Sequence, residues 1–276
     1  MMTYSIVAYD PVEKEWGVAT QSKFLAVGAV VPHAVAGVGA VATQSYANTS
    51  YGPEAMTYIM AGKTAEETIK LLTDEDEDRD FRQVGIIDNQ GNPATFTGSR
   101  CYDWAGGVTG KHYAVQGNIL VEGTVEAMAR AFENAEGSLA ERMLASLAAG
   151  QAAGGDSRGQ QSAALLVVKD KGGYGGYNDR YIDLRVDDHA TPVDELIRIY
   201  RMHQLYFAKA KKEFVAKVEG EVERKLELQL ARHGYLKDGM SIHQALRNYL
   251  HTENFEMREQ AEGYVDMEVV EYMERS

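Results

Sequence analysis

The chain has 276 residues, 45% hydrophobic, with a formal net charge of -13, which suits one large domain plus an appendage around a sizeable core. The charge disfavours nucleic acid and anionic membrane surfaces as partners, and the single cysteine, Cys101, excludes an intramolecular disulfide and a thiolate zinc cluster. No apolar run approaches the ~18 residues of a membrane span and the start lacks a signal-like pattern, so a cytoplasmic protein with no membrane partner is expected.

Residues 4–10 and 16–23 read as strands, and the turn-forming, charged stretch between them makes a hairpin. Phe24 to Ser45 is small, apolar and β-rich, interrupted by Gly28, Pro32, Gly37 and Gly39, which predicts two or more short strands covered on both faces. Tyr51-Gly52-Pro53-Glu54 opens a short helix that Gly62 closes. Thr64-Ala65-Glu66-Glu67 is a capping box for a second helix through Leu72. The acidic run Thr73 to Asp80 reads as a solvated loop, without the glycine and terminal glutamate of a calcium site; no metal and no cofactor are expected. Strands follow at 82–88 and 93–98 about a turn at 89–92, and at 112–118. Residues 122–134 and 138–149 are a helical pair, the second capped by Ser138 with Glu141. Ser162 to Val168 is a buried strand, paired across a glycine-rich loop with 181–187, and Thr191-Pro192 opens a long helix.

Segregated runs of strands and helices favour antiparallel sheets with helices on their outer faces. The fold class is therefore α+β, a four-layer αββα sandwich. Near residue 208 the composition turns Lys- and Glu-rich, which places domains at 1–208 and 209–276. The tail reads as two or three amphipathic helices, too small to be very stable alone. It is expected to pack on the first domain or a partner, and a homo-oligomer is expected.

Removal of Met2 would make Thr3 the N-terminus. Its hydroxyl would then share a residue with an α-amine of pKa about 7.7–8.0, able to take the proton. Methionine removal needs a small following residue, so Met1-Met2 would resist it and Met2-Thr3 would not. Gly154 to Gln161 is a candidate binding loop: glycines permit close approach, Arg158 would clamp a carboxylate, Asp156 would fix that guanidinium or hold a substrate amine, and Gln160 and Gln161 complete the polar set. Gln116 and Asn118 are amide donors at a strand end, suited to an oxyanion or to a turn. Gly37-Val38-Gly39-Ala40-Val41-Ala42 matches a dinucleotide pattern, but strand follows it and no acidic residue stands ~20 residues on, so nucleotide binding is rejected. Asp187-Asp188-His189 alternates across a strand and suits a helix N-cap better than a metal. Gly172 to Tyr177 is a lid or a hairpin loop. Cys101 reads as a buried thiol.

The run Gly150 to Val168, with TYSIVAYD at 3–10, SKFLAVGAVVP at 22–32, GVGAVATQSYANTSYGP at 37–53, RQVGIID at 82–88, QGNIL at 116–120 and DLRVDDH at 183–189, resembles domain-of-unknown-function family 1028 (DUF1028). The resemblance implies an N-terminal-nucleophile (Ntn) hydrolase-like αββα fold. It also implies polar groups beside the nucleophile on the second strand, here Gln21, Ser22 and Lys23. Lys23 would lower the pKa of the amine and stabilise an oxyanion. Thr43, Gln44 and Ser45 stand where such folds supply oxyanion and substrate-backbone contacts. The segment Leu226 to Leu236 is similar to a small peptidoglycan-binding-like helical module. The expected function is an amidohydrolase that cleaves a small-molecule or peptide-like amide, with Thr3, Ser22, Lys23, Gln44 and Ser45 catalytic and Thr43, Gln116, Asn118, Asp156, Arg158, Gln160 and Gln161 binding substrate. The alternative, given that no carboxylate accompanies Lys23, is a non-catalytic ligand-binding protein on the same scaffold, its tail mediating oligomerisation or partner binding.

Overall fold

Two strands buried along almost their whole length, joined by an exposed turn at residues 11–14, form the first hairpin. β1 (Thr3–Asp10) pairs antiparallel with β2 (Glu15–Ser22), in register from Thr3 opposite Ser22 to Asp10 opposite Glu15. The computed structural model describes residues 3–276, which divide into two compact units, one ending at Ile197 and the other beginning at Arg198. Met1 and Met2, whose removal the Thr3 reading requires, lie outside the described residues.

The first unit is built on two antiparallel sheets. Four strands, β3 (Pro32–Val35), β4 (Gly39–Ser45), β5 (Arg82–Ile87) and β6 (Pro93–Thr97), lie in that order. The other sheet has β1 and β2 at its centre, with β7 (Gly106–Gly110), β8 (Tyr113–Asn118), β9 (Ser162–Val168) and β10 (Arg180–Val186) in the order β10-β9-β2-β1-β8-β7. Val7, Tyr9, Trp16 and Val18 on one face of the hairpin pack with Ala40 and Ala42 of β4, so the sheets meet face to face. The opposite face meets the helix pair α3 (Thr124–Asn134) and α4 (Leu139–Ala152), where Gly17 leaves room for Met143. Helices α1 (Tyr51–Met60) and α2 (Ala65–Asp74) cover the smaller sheet through Tyr51, Met56, Ile59, Ile69 and Leu72 against Val41, Val84 and Ile86. The architecture is α+β in four layers, helices outside and antiparallel sheets inside. Both capping boxes form: Thr64 with Glu67 and Ser138 with Glu141 exchange side-chain and backbone bonds.

Three segments differ from expectation. Residues 24–31 form no strand; a short 3-10 turn at Val27–Ala29 carries the chain into β3. Strand β7, sequence Gly-Gly-Val-Thr-Gly, has little intrinsic strand preference and is held by pairing with β8. The acidic run is not simply solvated. The Asp76 side chain is only 10% exposed and takes bonds from Arg82 Nε at 2.8 Å and the Tyr51 hydroxyl at 2.8 Å. Burial alone would raise the Asp76 pKa, yet these bonds, with the Asp78 N–H and Asn48, hold it well below the ordinary carboxylate range. A depressed carboxylate contributes stability above its unfolded pKa of about 3.9 and loses it as pH falls toward the folded value. Denaturant unfolding between pH 2 and 7 should therefore show a loss of stability below about pH 4 that Asp76→Asn diminishes. An identical slope in the variant would contradict this role.

In the second unit, α6 (Gly220–Arg232), α7 (Ile242–Thr252) and α8 (Met267–Arg275) enclose Leu226, Leu230, Leu246, Tyr249, Phe255 and Val269. A two-stranded ribbon, β11 (Val215–Lys217) with β12 (Tyr264–Asp266), lies beside them. Helix α5 (Pro192–Phe207) spans the division between the units, which falls inside this helix and not where the composition changes. Its last turn is pinned by Arg258, which is buried, pairs with Asp266 and Glu268 at 2.8 Å, and donates to the carbonyls of Gln204 and Leu205.

Candidate functional site

Register brings many strand ends to one end of the sandwich. Thr3 begins β1 opposite Ser22 at the end of β2 and Asn118 at the end of β8. Ser22 in turn faces Ser162 at the start of β9, and Ser45, ending β4, faces Arg82 at the start of β5. Thr3 is fully buried, its Oγ1 donates to Ser22 Oγ at 3.2 Å, and its carbonyl accepts from Gln44 Nε2 at 3.2 Å.

Behind Thr3 a polar network fills the space between the sheets. Gln44 Nε2 also donates to Gln83 Oε1 at 2.8 Å, and Asn118 Nδ2 donates to the same oxygen at 2.9 Å. The Ser5 hydroxyl bridges Gln44 Oε1 and Gln116 Nε2, each at 2.6 Å. Gln83 Nε2 donates to the Gly117 carbonyl and to Thr97 Oγ1, each at 2.8 Å. These bonds hold the strand ends together, because each lost one would strand a desolvated group. Sequence reasoning missed Ser5, Gln83 and Thr97. The signal was present: Ser5, Gln44, Gln83, Gln116 and Asn118 are polar residues in strands otherwise buried on both faces.

The predicted site residues do not all converge. Thr3, Ser22, Gln44 and Asn118 come together. Gln44 and Gln116, expected as oxyanion and substrate donors, point into the protein with their amide N–H groups engaged by it, and so hold the strand ends. Thr43 turns the other way, its hydroxyl donating to the Asn48 carbonyl. Ser45 is buried at φ 68° and bonds to Cys101, whose pKa burial raises while that bond partly offsets it. The Lys23 side chain is exposed and reaches the Gln160 carbonyl at 3.4 Å. Among the described residues no hydrogen bond joins it to Thr3; residue 23 lies one step beyond the end of β2.

The glycine-rich loop closes one side of this end. Asp156, its side chain without exposed surface, accepts from the Lys23 N–H at 2.9 Å, the Arg158 N–H at 3.0 Å, and Arg158 Nε and NH2 at 3.2 and 2.9 Å. It thus fixes the guanidinium and is not presented to a substrate amine. Gln161 ties its N–H to the Ser22 carbonyl and its amide to Asp188. Three non-glycine residues at this end have positive φ, Ala26 at 53°, Ser45 at 68° and Ile119 at 52°. For a β-branched residue such as Ile119 this is a true outlier, of the kind that persists only where the surroundings dictate it and that gathers at functional sites.

The fold and this strand-end cluster define a four-layer antiparallel sandwich with a buried threonine at the start of a central strand. The family model "Family of unknown function (DUF1028)" matches residues 3–196, and the chain belongs to this family. A second model, "Putative peptidoglycan binding domain", matches residues 206–273. A crystal structure of a DUF1028 protein from Silicibacter pomeroyi is similar at a TM-score of 0.67 and 28% identity, over 81% of this chain and 93% of that one. A search of curated proteins found no match. Among the described residues no helix is long and apolar enough to cross a membrane, and no group of three or more His, Cys, Asp or Glu side chains could hold a metal ion.

Proposed function

We propose that the protein is an Ntn-type amidohydrolase acting through Thr3. The observation that carries this reading is the Thr3 hydroxyl bonded to Ser22 at the start of a central strand, its carbonyl held by Gln44. With Thr3 as first residue, Oγ1 attacks the amide carbonyl carbon while its proton passes to the α-amine. The C–N bond then breaks, the leaving nitrogen takes that proton, and water hydrolyses the Thr3 ester. Ser22 orients the hydroxyl, Asn118 and Ser45 edge the reacting centre, and the buried amides keep the strand ends in register. Lys23 and Arg158, on the same rim, favour a substrate bearing a carboxylate, as a peptide-like or N-acyl amino acid amide does. The C-terminal unit is a partner-binding or self-association module in this reading.

A second reading, a ligand-binding protein on the same scaffold, is favoured by the complete burial of Thr3 and the outward turn of Lys23. Chains beginning at Thr3 and at Met2, assayed for released amine on a panel of dipeptides and N-acyl amino acids, separate the two. Turnover confined to the free-Thr3 chain supports hydrolysis. Equal turnover, or none in either, discards it.

A further inference from the structure

Away from Thr3, the outer strand β10 carries an irregularity with a chemical consequence. Its register against β9 slips between Arg180 and Ile182, so Arg180 stands opposite Val168 while Asp183 stands opposite Leu166 and Arg185 opposite Ala164. In an unbroken strand Arg180 and Asp183 would point to opposite faces. The bulge changes the parity and sets Arg180, Asp183 and Arg185 on one face, the re-aiming of side chains for which bulges are used.

That face borders a cavity of about 100 Å³ between β3 and the β9–β10 edge, with Pro32, Ala34, Ala164 and Leu166 as its apolar wall and His33 beside the arginines. Asp183 is the carboxylate of the group. Its Oδ2 accepts from Arg180 NH1 at 2.7 Å, and its two oxygens accept from Arg185 Nε at 3.1 Å and NH2 at 3.4 Å. One carboxylate between two guanidiniums leaves one net positive charge and unused fork donors, in a chain of net charge -13. The arginine is also placed from behind: a Cβ on Gly28 would come within 3.1 Å of Arg185 Cγ, so the backbone there serves as the bed for its stem. His33 is half-buried, and a Cβ on Gly52 would lie 2.8 Å from its ring, so α1 backs the imidazole. Burial, with the charge of Arg180, holds His33 below its usual pKa.

We propose that this cleft is a binding site for a small oxyanion, a carboxylate or phosphate on a short apolar body, gripped by Arg180 and Arg185 with Asp183 holding the pair in place. It is distinct from the Thr3 cluster and does not depend on the hydrolase reading. Titration calorimetry of the full chain at constant ionic strength, with malonate in one arm, inorganic phosphate in a second and chloride as reference, tests it. Saturable binding of malonate, phosphate or both is expected, and the arm that saturates identifies the anion. Arg180→Gln and Arg185→Gln should each weaken it at least tenfold, while Asp183→Asn, which frees both guanidiniums, should tighten it severalfold, with circular dichroism confirming the fold. Heats equal to the chloride reference in both anion arms, or binding that the arginine variants leave unchanged, would overturn the site.

Discussion

Thr3→Ala, in a chain that begins at residue 3, is expected to lower amide turnover by at least about 10³-fold, because it removes the attacking oxygen and leaves only binding and oxyanion contacts. Thr3→Ser keeps the hydroxyl and should retain measurable turnover. Ser22→Ala is the finer probe. It removes the acceptor of the Thr3 Oγ1–H bond without touching the substrate, and a misplaced nucleophile can cost up to about 10²-fold. That loss should appear in kcat with little change in KM, since ground-state binding is untouched. The check is steady-state kinetics on whichever amide the wild type turns over, with circular dichroism to confirm the fold. A Thr3→Ala chain as active as wild type removes the hydroxyl from the mechanism.

Asp156→Ala should be the most damaging change in the glycine-rich loop. The carboxylate is buried and accepts from two backbone N–H groups and one guanidinium, so truncation removes an acceptor from each of the three. Breaking a buried ion pair costs about 3–5 kcal/mol; the Arg158 side chain is 36% exposed, and water returns part of this, so about 3 kcal/mol is expected. Asp156→Asn retains an acceptor oxygen and should cost less. Urea unfolding followed by tryptophan fluorescence suits the measurement, because Trp16 and Trp104 both lie in the unit ending at Ile197. A loss below about 0.5 kcal/mol for the alanine variant would show that the loop does not depend on this residue.

Much of the architecture could be read from local chemistry. The capping boxes at Thr64 and Ser138 announce helix starts with specific bonds, and both bonds form. The first hairpin follows from two strand-like runs about a charged turn. What stayed hidden depends on pairing across the fold. β7 has three glycines in five residues, and only β8 makes it a strand. Gln83 reads as an ordinary strand residue until the second sheet places Asn118 and Gln44 against it. Gln116 reads as a strand-end donor to an oxyanion or a turn for the same reason: a sequence shows that a residue is polar, and the register decides which way it faces. Arg180 and Asp183 look misaligned until the bulge is known. Lys23, placed beside the nucleophile by the family resemblance, stands one residue past the end of β2, its exposed side chain on the rim reaching the Gln160 carbonyl.

The central claim is that the Thr3 hydroxyl at this strand end forms a covalent ester. Its most direct measurement is intact mass and peptide mapping of the chain beginning at Thr3, quenched after brief incubation with an activated p-nitrophenyl ester of an N-acyl amino acid. One acyl group on the N-terminal peptide, located at the Thr3 oxygen and missing in Thr3→Ala, is the result predicted. Release of p-nitrophenol with the acyl group on another residue, or an adduct that persists in Thr3→Ala, would contradict it.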